Sequence, residues 1–398
     1  MSSSTQGTRT VAAAAPGGAA IPAATASASS SNTYFYMDAM RFVCALGVVF
    51  SHVWQLLIGD YVATSNLVVN ALYFLAGFGH AGVVLFFVLS GYWIGRSVIG
   101  RTERGGWQWG AYLIDRLSRL MVVLVPALLL GGMLDHVAAN WLESTTLHDQ
   151  TGSWMVRVPH EQALAWKTLL GNLAFLQGLA VPPFGSNGPL WSLAYEFWFY
   201  LWFPALWLAV RYRRPSWALL TLGLGIAYPD LTGGFLVWGT GVLLVFAERF
   251  VMANAAAAAR LRGWLPWAGA AALAATLFLQ RATGWWWTDG PLGLAFAAFL
   301  LGLMLRDPPR LRWVAPAARY GAQASFSLYA SHFPMLAFAA TLMIDRVRPQ
   351  PALGPVAAAF AVMLLLVVVG WCFSQFTEVH TGAAREWLRS RLLRARAG

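Results

Sequence analysis

The chain has 398 residues, of which 58% are hydrophobic and only 11% charged, whereas soluble domains carry about 25% charged residues. Such a chain cannot hide its apolar surface in a water-soluble core, so it reads as an all-α, polytopic integral membrane protein. The net charge of +11 comes almost wholly from arginine, Lys167 being the single lysine, and no soluble module gathers those charges into a nucleic-acid-binding face. Cys44 and Cys372 both fall in apolar stretches, which excludes a disulfide framework and a cysteine-based metal site and reads both as core residues.

Residues 1–33 are Ser, Ala, Thr, Gly and Pro with the lone charge Arg9, too little apolar side chain to fold, and read as a disordered tail. Apolar segments of spanning length follow at about 38–58, 80–100, 117–136, 189–210, 216–229, 232–250, 264–280, 290–305, 320–344 and 353–377, so about ten transmembrane helices are expected. Lys167, Asn172 and Gln177 make the stretch 163–181 more like an interfacial or re-entrant helix than a span. The membrane domain is therefore 34–380, with one long outer segment at about 137–188 and an Arg-rich tail at 381–398. Positive residues collect in cytoplasmic loops. With both termini inside, the inner loops hold the clusters at Arg96–Arg119, Arg211–Arg214, Arg249–Arg262, Arg306–Arg319 and Arg385–Arg396, while the short outer loops hold only Arg281, Arg346 and Arg348. Trp387, Leu388, Leu392 and Leu393 among the tail arginines suit a helix lying on an anionic leaflet. The outer segment contains Glu143, His148, Asp149, His160 and Glu161 without metal-ligand spacing, and Trp285-Trp286-Trp287 fits an interfacial anchor better than a sugar-stacking platform.

Ionisable groups inside a bilayer are costly and mark function by default. Arg41 and His52 are 11 residues apart in the first span, which on a helix leaves them only about 20° out of line and about 16 Å apart along the axis. Two readings fit His52: a base facing a cavity, or a histidine bonded within a helix interface. Arg116 and Arg119 share one face at the cytoplasmic edge of the third span. They suit either a clamp on a phosphate-bearing ligand or a plain positive-inside anchor. Glu196 lies among aromatic residues in the fourth span and needs a partner, for which His52 is the nearest candidate by depth. Ser327, Tyr329, Ser331 and His332 form a polar cluster before Pro334, where His332 either lines the cavity or bonds to a neighbouring helix. Ser90-Gly91 reads as a close helix contact.

Together these segments resemble the membrane-bound acyltransferase-3 family, the O-acyltransferases of bacterial surface glycans. The resemblance rests on Arg41-x10-His52, the block Leu85 to Tyr92, Arg116-x-x-Arg119, Pro189-Leu-Trp-Ser-x-x-x-Glu196 and, more weakly, Ser327-Leu-Tyr-x-x-His332. It implies an acyl-CoA-dependent O-acetyltransferase of the bacterial inner membrane acting on a carbohydrate hydroxyl, with no permanently bound cofactor and no metal. By the same resemblance His52 is the catalytic base and Glu196 an essential polar group. Arg41, Arg116 and Arg119 handle acyl-CoA, and Ser90, Tyr329 and His332 are expected to line the cavity. Two departures stand out: Val84 replaces a common acidic residue, and Glu378-Val379-His380 replaces the usual Glu-(Arg/Lys)-Pro. The competing class is a non-enzymatic carrier, a lipid-linked glycan flippase or an ion-coupled transporter, which also needs buried Arg, His and Glu.

Overall fold

A computed structural model describes residues 32–142, 160–284, 286–344 and 347–392, and their regular structure is helical apart from one isolated bridge between Gln177 and Val181. The expected disorder of the first residues, the acidic and histidine side chains of the 143–161 segment, and Trp285 lie outside this description. The helices are α1 (Asn32–Leu57), α2 (Leu67–Ala76), α3 (Gly79–Glu103), α4 (Trp109–Trp141), α5 (Trp166–Leu173), α6 (Trp191–Arg211), α7 (Ser216–Ala227), α8 (Pro229–Ala253), α9 (Ala255–Thr283), α10 (Asp289–Arg306), α11 (Ala322–Met343), α12 (Leu353–Phe376) and α13 (Thr381–Leu392).

Among the described residues eight helical segments are long and apolar enough to cross a membrane. Of the ten expected spans, the two outside this set are α7 and α9. The first has 12 residues, about 18 Å of helix, too short to span alone; the second has 29, but its apolar stretch is diluted by Trp264, Pro266, Trp267, Gly269, Thr276 and Gln280. Large apolar side chains such as Leu129, Leu243 and Leu364 point outward on helices whose other faces are packed, as a lipid solvent requires. Cys372 sits on that outer surface of α12, not in the core, whereas Cys44 is buried. In a bilayer an apolar sequence does not distinguish the two positions, because lipid is as apolar as the interior.

Local chemistry fixes the ends of the bundle. Asn66 caps α2 by accepting from the Val68 and Val69 amides, and Gly284 closes α9 at φ 64. At the arginine-rich end Asp307, which follows α10, accepts the Thr33 amide at 3.3 Å and so caps the start of α1. At the opposite end Arg348 bridges Asp60 at 3.0 Å and the Gln55 carbonyl at 2.6 Å. The stretch 163–181 is a short helix followed by tight turns. Buried Asn172 donates to the Pro182 carbonyl and accepts from the Phe184 amide, while buried Gln177 donates to the Leu190 carbonyl.

Helices α3 and α8 approach backbone to backbone, as Ser90-Gly91 suggested. A Cβ on Gly91 would stand 2.0 Å from the Trp238 carbonyl oxygen, and one on Gly241 2.0 Å from that of Val88. Gly241→Ala therefore forces the pair apart, with an expected loss of about 1–3 kcal/mol seen as a lower melting temperature in detergent.

Three of the prolines inside helices free carbonyls that side chains from elsewhere in the chain satisfy. Pro204 leaves the Tyr200 carbonyl without its helical donor, and Tyr112 Oη of α4 donates to it at 2.9 Å. Pro334 leaves the Ala330 carbonyl free, and the side-chain amide of Asn187 donates to it at 2.9 Å. Pro266 leaves the Arg262 carbonyl free, and Arg306 Nε of α10 donates to it at 3.4 Å. The first two crosslinks hold the helices that carry Glu196 and Tyr329. Asn187→Ala strands a buried carbonyl at an expected cost of about 1–3 kcal/mol. Against a Pro334→Ala background, which restores the helical amide, the same replacement costs measurably less in a double-mutant melting cycle.

Candidate functional site

Helices α1, α3, α4, α6 and α11 enclose a cavity of about 410 Å³, a size that suits a small-molecule site. It runs from the arginine-rich end, at Asp38, Arg41, Arg116 and Arg119, to Ser90, Ser192, Glu196 and Tyr329 deeper in the bundle.

The arginines are unequally paired. Arg41 lies 3.8 Å from Asp38 on its own helix. Arg116 and Arg119 have no carboxylate within salt-bridge distance among the described residues, and the buried Arg116 Nε has no hydrogen-bond partner there. Arg116 instead stacks against the rings of Tyr112 and Tyr200, 5.5 and 5.9 Å from their centroids. Asp115, next in the chain, does not neutralise it, because both of its oxygens are occupied: Arg101 of α3 and Arg389 of α13 each reach one at 2.7 Å. The C-terminal helix thus packs on α4 through this buried carboxylate, while Trp387 and Leu392 of the same helix remain exposed. Glu378 accepts from the Ser327 hydroxyl at 3.1 Å and faces Arg119 and Arg41 electrostatically, so the glutamate that this chain keeps of the usual Glu-(Arg/Lys)-Pro is built into the same end.

Glu196 is held at the deep end by two donors on one oxygen. Ser90 Oγ donates to Oε1 at 2.7 Å and Tyr200 Oη at 2.5 Å, while Trp238 Nε1 donates to Ser90 Oγ at 3.2 Å. Oε2 has no partner among the described residues, so the carboxylate offers one free oxygen to the cavity. The expected pairing of Glu196 with His52 is not formed. Depth in the membrane allowed it, but α6 turns Glu196 towards α3 and Tyr200.

His52 instead meets His332 of α11, Nδ1 to Nε2 at 2.8 Å. Neither imidazole is among the side chains that line the cavity, although Arg41, in near register with His52 on α1, is. The two sites touch through Tyr329, which lines the cavity and lies 5.9 Å from the His332 ring, centroid to centroid. Tyr329 Oη donates to the Pro189 carbonyl at 2.8 Å and therefore accepts from Ser192 Oγ at 2.5 Å. Phe86, 6.3 Å from the Tyr329 ring, completes this wall. His332, expected to line the cavity, thus sits one helical turn behind it, while Ser90 and Tyr329 line it. Three contributors escaped the sequence: Asn187, Tyr200 and Asp38. A proline within a span signals that a carbonyl needs a donor, but not which residue supplies it.

The acyltransferase-3 family, described as an acyltransferase domain, matches residues 34–375. The chain belongs to that family. No curated protein and no solved structure shows a significant match to it. As an acyltransferase-3 protein it is a multi-pass membrane protein, consistent with a membrane acyltransferase. The match covers every helix that lines the cavity and both histidines.

Proposed function

We propose that this acyltransferase-3 protein moves a short acyl group from cytoplasmic acyl-CoA to a hydroxyl of a carbohydrate acceptor, in a bacterial inner membrane. The observation that carries the reading is the pair of guanidiniums with no ion-pair partner among the described residues, Arg116 and Arg119, at one end of a cavity that abuts the His52–His332 pair at the other. Unpaired positive charge in an apolar bundle is costly, and a ligand bearing phosphates meets it with bidentate hydrogen bonds. The concentration of arginine at that end supports its facing the cytosol, where acyl-CoA is made.

In this reading the phosphates of the donor lie on Arg116 and Arg119, with Arg41 beside them, and the thioester points past Ser90 and Glu196 towards the Phe86–Tyr329 wall. Displacement of those two rings brings the thioester carbonyl to His52. The imidazole takes the proton of the acceptor hydroxyl, the alcohol oxygen bonds to the carbonyl carbon, and the carbon–sulfur bond breaks. Coenzyme A leaves as thiolate and recovers the proton from the imidazolium. The free oxygen of Glu196 positions the arriving donor by accepting one of its amide hydrogens.

Competition binding tests the donor assignment. Purified protein in nanodiscs is expected to bind acetyl-CoA at least about tenfold more tightly than acetyl-pantetheine, which lacks the phosphates, since a hydrogen bond to a charged group contributes about 1.5–3 kcal/mol. Equal affinity for the two ligands would remove the reason for assigning phosphates to the arginines.

A further inference from the structure

The histidine pair fixes its own protons. His332 Nδ1 lies 2.7 Å from the Tyr329 carbonyl oxygen and 3.2 Å from that of Leu328. A carbonyl only accepts, so this nitrogen carries a hydrogen. His332 is 0% exposed, and neither ring has a carboxylate within salt-bridge distance among the described residues, so in this apolar setting both imidazoles are neutral. Its Nε2 then has no hydrogen and accepts. The hydrogen in the 2.8 Å contact must come from His52 Nδ1. The ring planes lie 5° apart with centroids 5.1 Å apart, too far for face-to-face stacking at that nitrogen separation. The rings therefore meet edge to edge, in the plane where an N–H points.

We infer that His332 is a positioning residue that imposes the Nδ1–H tautomer on His52 and so leaves the His52 Nε2 lone pair free to act as the base. The chain runs one way, from His52 Nδ1–H to His332 Nε2 and from His332 Nδ1–H to the Tyr329 carbonyl, because its last acceptor has no hydrogen to return. Nothing else among the described residues bonds to the His52 ring, so the tautomer rests on this contact alone. His52 Nε2 likewise has no hydrogen-bond partner among the described residues. The helix geometry supports the same role. Pro334 opens the hydrogen-bond ladder just beyond His332, and the Asn187 amide holds the Ala330 carbonyl that the proline frees, which fixes the turn from which His332 projects.

The catalytic part of this inference rests on the proposed acyl transfer, but the tautomer does not, so the two are tested apart. In nanodiscs, ¹⁵N-histidine magnetic resonance of the wild type, assigned by difference from His52→Asn, is expected to show a protonated Nδ1 and an unprotonated Nε2 on His52. In the acetyl-CoA transfer assay His332→Ala is expected to lower kcat about tenfold or more with the KM for acetyl-CoA unchanged. His332→Gln, whose side-chain oxygen still accepts from Nδ1–H, is expected to recover most of that loss. A hydrogen on Nε2 of His52 overturns the inference even if no acyl transfer is found, and so does a glutamine variant no better than alanine at equal folded yield. Absence of turnover in the wild type contradicts the function instead and leaves the resonance result to decide the tautomer.

Discussion

His52→Ala is expected to lower kcat for the proposed acyl transfer by about 10²–10⁴-fold, the usual contribution of a positioned general base, with acetyl-CoA still bound. Binding survives because His52 is not among the side chains that line the cavity. The arginines proposed to meet the phosphates lie elsewhere, Arg41 some three helical turns from the imidazole on α1 and Arg116 and Arg119 on α4. The replacement also removes one of two hydrogen-bonded rings in a tightly packed interface that includes Phe333 at 5.2 Å, so folding is checked by melting in the same detergent. Initial rates at saturating acetyl-CoA, together with equilibrium binding, separate the two effects. A fall in affinity with unchanged kcat would place His52 in donor binding and remove it from the chemistry.

Arg116→Ala with Arg119→Ala produces the complementary pattern. Each guanidinium lost from a phosphate is expected to cost about 1.5–3 kcal/mol, or roughly 10- to 100-fold in affinity, and to appear in KM with kcat largely kept. The effect comes from charge with geometry, so Arg116→Lys recovers little: a lysine ammonium neither forks onto a phosphate nor stacks on Tyr112 and Tyr200. Acetyl-pantetheine, lacking the phosphates, should be used equally well by the wild type and the double variant. Titration of KM for both donors checks this, and a loss that is the same for both would point to a collapsed cavity in place of a lost phosphate site. Arg101→Ala serves as a contrast. Its partner Asp115 keeps Arg389, so a smaller change is expected from the same end of the bundle.

Most of the architecture was legible because a bilayer simplifies the code. Apolar runs mark spans whatever their neighbours, and the spacing of Arg41 and His52, or of Arg116 and Arg119, follows from helical pitch alone. The spacing of Arg116 and Arg119 carried over into three dimensions, and both line the cavity. What the sequence left open were the choices made by helix rotation and by contacts far apart in the chain. Glu196 was assigned to His52 by depth, yet rotation of α6 gives it to Ser90 and Tyr200. The true partner of His52 stands 280 residues away on α11, where no local pattern links the two. The C-terminal helix shows the same limit: its arginines among leucines suit a lipid surface, and nothing local foretells that Arg389 reaches Asp115 on α4. Cys372 shows it once more, since an apolar face is read identically whether it meets lipid or core.

The most direct test follows both products at once. Purified protein in nanodiscs is given acetyl-CoA labelled in the acetyl group and a glycan-bearing membrane extract, and free coenzyme A and alkali-labile label on the acceptor are measured over time. Equal amounts of the two products, formed by the wild type and absent with His52→Ala, are the expected result. Acetyl-CoA that is neither bound nor consumed, or consumption that proceeds unchanged without His52, would contradict acyl transfer at this site.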